Sequence, residues 1–179
     1  MRILNCVNKH ANCYTSNFAV ENSNIQLKNS YDYLVSSQII KEKGQSYSLL
    51  DIYNKTVANL FIDKAELMTR LRGFEEVVTQ IDHASEFYTI TSPSKMHAVL
   101  LSGKPNPKFN DSTPKGVNEY FNNIWQLIYS AIHNKGIQPD GFRVVAPHHD
   151  GTPHWHLLLF MHPNDVNTAH SILSKYVLK

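Results

Sequence analysis

Two histidines spaced by one residue, His154 and His156, stand at the head of a four-residue apolar run, Leu157–Phe160. A second apolar run, Phe142–Ala146, precedes them across a polar, glycine-containing turn. In a strand successive side chains point to opposite faces. His154 and His156 therefore share one face, roughly 7 Å apart at Cα by strand rise, and Trp155 points the other way. Two imidazoles converging from one face of a rigid strand can hold a single divalent metal. Most isolated pairs of this kind are surface or satisfied core histidines. This pair lies at the mouth of a buried strand, and two more histidines, His148 and His149, precede it in the turn.

The bulk properties agree with a folded domain. With 179 residues, 42% hydrophobic and 18% charged, the chain can bury a substantial core and is not of disordered composition. A net charge of +2 proves no nucleic-acid partner, although a local basic stripe would suffice for one. Six of the ten histidines fall between His148 and His170, which marks the C-terminal third as the chemical end. Cys6 and Cys13 are the only cysteines and make no disulfide framework; they read as reduced thiols of a cytoplasmic protein. No run of eighteen apolar residues exists, so no membrane partner is expected, and the N-terminus lacks the apolar core of a secretion signal.

Taken in order, Met1–Asn29 is rich in Asn and Ser and reads as a loosely structured arm. Ser30 to about Lys43 carries a modest helical pattern, with Gly44 as its stop. Tyr47–Gln80 repeats apolar residues every three or four positions and reads as helix, with a break near Asp63 or Gly73. Phe87–Ser92 is a short strand of aromatic and β-branched residues ended by Pro93. Ser94 to Thr113 is a loop whose Lys95, Lys104 and Lys108 could meet a nucleic-acid backbone; Arg143, on the strand before the turn, is a further candidate contact. Thr113 can cap a helix that opens with Pro114, buries one apolar face and ends at Gly136. Asp165–Lys175 reads as a short helix and Tyr176–Lys179 as the start of a strand. The order predicts an α+β fold with a mainly antiparallel sheet, divided into an N-terminal, mainly helical region, 1–80, and a core, 81–179.

Three stretches, FYTITSPSKMHAV (Phe87–Val99), NPKFNDSTPKGVNEYFNNIW (Asn106–Trp125) and GFRVVAPHHDGTPHWHLLLF (Gly141–Phe160), occur in this order. Together they resemble the bacteriophage replication gene A protein family, rolling-circle replication initiators of the HUH endonuclease superfamily. The motifs cover roughly Phe87 to Lys179, and the N-terminal half matches only loosely. The resemblance implies a phage- or prophage-encoded protein of the bacterial cytoplasm. It implies a sheet flanked by helices, one divalent metal (Mg²⁺ or Mn²⁺) on His154 and His156, and single-stranded DNA at a replication origin as substrate. A host replication helicase is a further partner to expect. In the family a tyrosine hydroxyl attacks the DNA phosphate, leaving a 5′-phosphotyrosine link and a free 3′-OH.

The sequence departs from the family pattern twice. The family's catalytic tyrosines stand in a Tyr-x-x-x-Tyr helix further downstream. Here Tyr176 is the one candidate in the corresponding direction, and Ile172 occupies the position four residues before it. The expectation is a chain that ends before its nucleophile. Relatives also carry an acidic residue, a natural third ligand, just before the Pro-His-His segment, where Ala146 stands. His148 or His149 could supply that ligand instead; the parity of the turn around Asp150-Gly151 decides which. Asp150 and Gly151 themselves read as turn formers.

Other classes are separable. A non-catalytic metal- and DNA-binding module would bind without cutting. A histidine-triad nucleotide hydrolase needs a further histidine where Leu158 stands. A metal hydrolase with a water nucleophile would cut without a covalent protein–DNA intermediate.

Overall fold

The structure is a computed structural model. It describes residues 6–42, 44–56 and 58–177, which divide into two compact units: 17–77, and 78 onward together with the N-terminal segment up to residue 16.

The first unit is mainly helical. Helix α1 spans Asn17–Ser36, a short antiparallel hairpin pairs β1 (Gln38–Ile40) with β2 (Ser46–Ser48), and α2 (Leu49–Asn54) and α3 (Leu60–Gln80) follow. The Ser48 hydroxyl accepts from the Asp51 N–H and caps α2. These elements differ from the sequence expectation. The expected arm up to Asn29 is half helix from Asn17, while Met1–Asn5 lie outside the described residues. The helix expected over Ser30–Lys43 ends at Ser36, and Gly44, at φ +78°, serves the hairpin turn rather than a helix stop. The break expected near Asp63 or Gly73 falls between Asn54 and Leu60, and α3 runs through both positions. The cause is plain in α1: it buries no residue, so no apolar stripe is needed to form it and none is legible.

The second unit is the α+β core. Strand β3 (Ala84–Ile90), helix α4 (Pro114–His133), strands β4 (Asp140–Pro147) and β5 (Pro153–Met161), and helix α5 (Val166–Val177) appear in chain order. The three strands form one antiparallel sheet in the order β3-β5-β4, so the His-x-His strand is central. β3 begins and ends a little earlier than the aromatic run expected at Phe87–Ser92. The strand expected at Tyr176 is instead the last turn of α5, and Leu178–Lys179 lie outside the described residues.

Strand alternation decides which face is which. Trp155, Leu157, Leu159 and Met161 of β5 are buried with Ile90 of β3, and pack against Val117, Phe121, Ile128 and Ile132 of α4 and Ala169 and Leu173 of α5. Burying each large apolar side chain contributes about 1.5–3 kcal/mol, so this layer dominates the stability of the unit. Trp155 is 1% exposed, and its indole N–H donates to Asn118 Oδ1 at 3.0 Å, which satisfies the one polar atom buried with it. The alternate residues, His154, His156 and Leu158, point to the other face. Thr113 caps α4 as its sequence predicts, accepting from the Gly116 N–H at 3.1 Å. Gly141 packs so tightly across from β5 that an added Cβ would lie 2.0 Å from the Leu158 carbonyl oxygen.

Candidate metal centre

The face of β5 away from α4 and α5 presents His154 and His156. Their cross-strand partners are Ala146 and Val144 on β4, and Thr89 of β3 lies opposite His156. The two Nε2 atoms are 3.0 Å apart. Two nitrogen ligands at about 2.1 Å from one ion, at about 90° to each other, have this separation, so the donor pair fits a shared cation. Thr89 Oγ1 is 3.1 Å from His156 Nδ1, and Phe87 stacks on the same ring with centroids 5.4 Å apart. A hydrogen bond on the second ring nitrogen fixes which nitrogen is left to bind. Burial, with His156 and His97 nearby, pushes the His154 imidazole toward its neutral form, the form that binds metal. Its Nδ1 is buried without a partner.

The hairpin turn extends this row of imidazoles. His148 N–H donates to the Thr152 carbonyl and Gly151 N–H to the His148 carbonyl, at 2.7 and 2.8 Å. Gly151 takes φ +76°, and Thr152 N–H donates to Asp150 Oδ1, so Asp150 and Gly151 do form the turn. The His148 ring lies 5.8 Å from His154, and His149 packs edge-on against His148 at 4.2 Å. Of the two candidates for a third ligand, His148 is the one whose ring adjoins His154. Burial, with His149 and His97 close by, lowers the pKa of His148, partly opposed by Asp150.

A third residue cluster was not visible in the sequence. His97, in the loop after β3, brings Nδ1 to 3.2 Å from Asp150 Oδ2, and His148 Nδ1 stands 3.9 Å from Asp150 Oδ1. Donor atoms of His97, His148 and Asp150 lie within 4.8 Å of one another and could hold a metal ion. Asp150 is fully buried. Burial alone would raise its pKa, but hydrogen bonds from His97 and from the Thr152 hydroxyl and backbone N–H outweigh that, holding the carboxyl well below the usual carboxylate range. Asp150 read only as a turn former, and His97 stood in a quoted motif without a role. Their separation in the chain hides the pairing; the one signal was an acidic residue two positions after a histidine.

The remaining candidates are placed as follows. Lys95, Lys104 and Lys108 are exposed on the loop between β3 and α4. Buried Asn106 organises that loop, donating to the Ser94 and His97 carbonyls at 2.7 and 2.8 Å. Lys104 closes a turn with Leu100, and Leu100 and Leu101 line a cleft of about 320 Å³ together with Ser92, His97, His148 and His149. Arg143 lies on the helix-covered side of β4, its guanidinium 4.1 Å over the Trp155 ring. Tyr176 packs against the same apolar layer, on the opposite side of the sheet from His154 and His156. Cys6 and Cys13 are thiols, and Cys13 is exposed.

Comparison with known proteins extends the likeness over the whole chain. The family model for bacteriophage replication gene A protein matches residues 1–179. The replication gene A protein of Escherichia phage 186 is 38% identical over 170 residues, which is 95% of this chain and 24% of that protein. A probable replication endonuclease from a prophage-like region of Salmonella paratyphi A is 34% identical across 100% of this chain and 22% of its own length. The probable replication protein P12 of Pseudoalteromonas phage PM2 is 35% identical over 98% of this chain and 27% of that protein. The chain thus spans about a quarter of the length of these curated relatives. No solved structure matches it. No helix among the described residues is long and apolar enough to cross a membrane. By its match over the full sequence, the chain belongs to the bacteriophage replication gene A protein family.

Proposed function

We propose that residues 81–179 form the metal-binding core of a rolling-circle replication initiator, which nicks one strand of DNA at a phage origin in the bacterial cytoplasm. In this reading His154 and His156 hold a Mg²⁺ or Mn²⁺ ion and the substrate is single-stranded DNA. The reaction is a transesterification: a tyrosine oxygen forms a bond to phosphorus, the 3′-oxygen leaves as a hydroxyl, and the 5′-phosphate stays on the protein. A divalent ion bound there supplies Lewis-acid stabilisation of charge on the phosphoryl oxygens, worth several kcal/mol. The observation that carries the reading is the 3.0 Å approach of the two Nε2 atoms on a half-buried face of the sheet, on a chain aligned end to end with a probable replication endonuclease. Thr89 orients His156, and burial pushes His154 toward its neutral form. The loop bearing Lys95, Lys104 and Lys108 offers cations to the DNA backbone.

A second reading, a metal- and DNA-binding module that does not cut by itself, is favoured by two observations. Tyr176 packs on the far side of the sheet, and Ala146 stands opposite His154 where a third ligand could project. The nucleophile would then come from outside the residues that face the histidines.

The test is a nicking assay on single-stranded, origin-derived phage DNA with Mn²⁺, read as a covalent adduct on a denaturing gel. An adduct lost in His156→Ala but kept in Tyr176→Phe supports the nuclease with a tyrosine other than Tyr176. An adduct lost in Tyr176→Phe makes Tyr176 the nucleophile. Metal-dependent DNA binding without an adduct supports the second reading. Binding of Mn²⁺ unchanged in the His154→Ala/His156→Ala variant overturns the site in both.

A further inference from the structure

His97 stands between Ser92 and Asp150, with one ring nitrogen against each. Its Nε2 lies 3.3 Å from the Ser92 carbonyl oxygen and 3.1 Å from the Ser92 hydroxyl. The hydroxyl can donate to Nε2, or the carbonyl can accept from it, so either tautomer is served there. Nδ1 faces the Asp150 carboxylate at 3.2 Å: in one tautomer it donates to that carboxylate, in the other it offers a lone pair beside it, a ready pair of donors for a cation. His148 adds a third such atom: its buried Nδ1 has no hydrogen-bond partner and stands 3.9 Å from the other oxygen of the same carboxylate. A buried polar atom without a protein partner is met by a water, a ligand or an ion, and donor atoms of His97, His148 and Asp150 within 4.8 Å of one another are a set that an ion can share.

We propose that His97 Nδ1, His148 Nδ1 and the Asp150 carboxylate form a second divalent-metal site, separate from the His154–His156 pair, that takes a transition ion of the Zn²⁺ or Co²⁺ class. The surrounding hydrogen bonds are those a metal site needs. His97 donates its remote N–H to a backbone carbonyl, and the Asp150 oxygens are oriented by the Thr152 N–H and hydroxyl at 3.0 and 2.7 Å. Such outer contacts fix the ring and carboxylate that bind. The centroids of His97 and His148 are 5.3 Å apart, close to what two imidazoles on one tetrahedral ion require, about 5 Å from the usual metal–nitrogen distance. Two nitrogens and one oxygen suit Zn²⁺ or Co²⁺, whereas Mg²⁺ prefers oxygen. The ion would clasp the loop after β3 to the β4–β5 turn, and so set one wall of the cleft that His97, His148 and His149 line. Without the ion, the same geometry is met by a hydrogen bond from His97 Nδ1–H to the Asp150 carboxylate, with Nε2 accepting from the Ser92 hydroxyl.

Metal counting separates these outcomes without any nicking assay. The whole chain with His154→Ala and His156→Ala, which removes the first pair, is loaded with Zn²⁺, desalted and analysed for bound metal. The expected result is one Zn²⁺ per chain, falling to none when His97→Gln is added, with a visible Co²⁺ band that disappears in parallel. A double variant that holds no metal overturns the proposal and leaves the His97–Asp150 hydrogen bond. Retention of Zn²⁺ after His97→Gln also overturns it. Should His97→Gln fail to fold, X-ray absorption at the zinc edge of the double variant decides: two imidazoles support the site, and any other number overturns it.

Discussion

Thr89 touches the candidate centre only through His156, yet its hydroxyl, 3.1 Å from Nδ1, decides which ring nitrogen faces its neighbour. Thr89→Val keeps the shape and removes that bond. Its Mn²⁺ affinity should fall about 10-fold or more, as for other partners of metal-bound histidines, measured by titration calorimetry. Asp150 acts on stability instead. Its folded pKa lies below that of the unfolded chain, so its stabilisation is complete above the unfolded value, about 3.9, and is lost as pH falls through the folded one. In metal-free buffer Asp150→Asn should cost about 1–3 kcal/mol at pH 7, the range for hydrogen bonds to a buried charged group. The difference from wild type should shrink on acidification below pH 4 in thermal melts. A constant difference down to the lowest pH would mean that the carboxylate charge contributes nothing.

Among the elements, those with a strong apolar stripe were legible. Helix α4 shows its cap at Thr113, its Pro114 and its buried face at Val117, Phe121, Ile128 and Ile132, and the sequence carries each signal. The β4–β5 hairpin was equally readable, because the alternation of Trp155 with His154 and His156 follows from strand geometry alone. Helix α1 was not, since it buries nothing. The His97–Asp150 contact was not either, because 53 residues separate the partners and only the folded sheet brings the loop after β3 to the turn. The close pairing of β4 with β5 also imposes a requirement invisible in composition. Gly141→Ala would place a methyl group 2.0 Å from the Leu158 carbonyl oxygen, and should cost about 2–3 kcal/mol as an overpacked site, seen as a lower midpoint in urea unfolding.

On the scale of the whole molecule, the α+β core is one-sided: helices cover one face of the sheet, and the histidines occupy the other. The apolar layer under Trp155 fixes the strand, and the strand fixes the imidazoles, so the metal binding proposed above would be linked to the folding of this unit. Any ion that binds only the folded form adds stability, about 2.7 kcal/mol at a free concentration one hundred times Kd. Saturating Mn²⁺ should therefore raise the melting temperature and excess chelator reverse it. A melting temperature indifferent to both would mean that no ion is held. The relatives that align with this chain are about four times its length, so what they do as whole proteins is a proposal for these residues and not a finding.

Ala146 sits directly across from His154 on the adjoining strand. A carboxylate there would meet an ion held by His154 from β4, and Ala146→Glu should tighten Mn²⁺ binding, because carboxylate oxygens suit Mn²⁺ and affinity follows the charge of the ligand set. In the genetic code every alanine codon becomes an acidic one, Asp or Glu, by changing its middle base. The affinity of the proposed site is thus one point mutation from being reset, a change that any replicating population encoding it would sample continually.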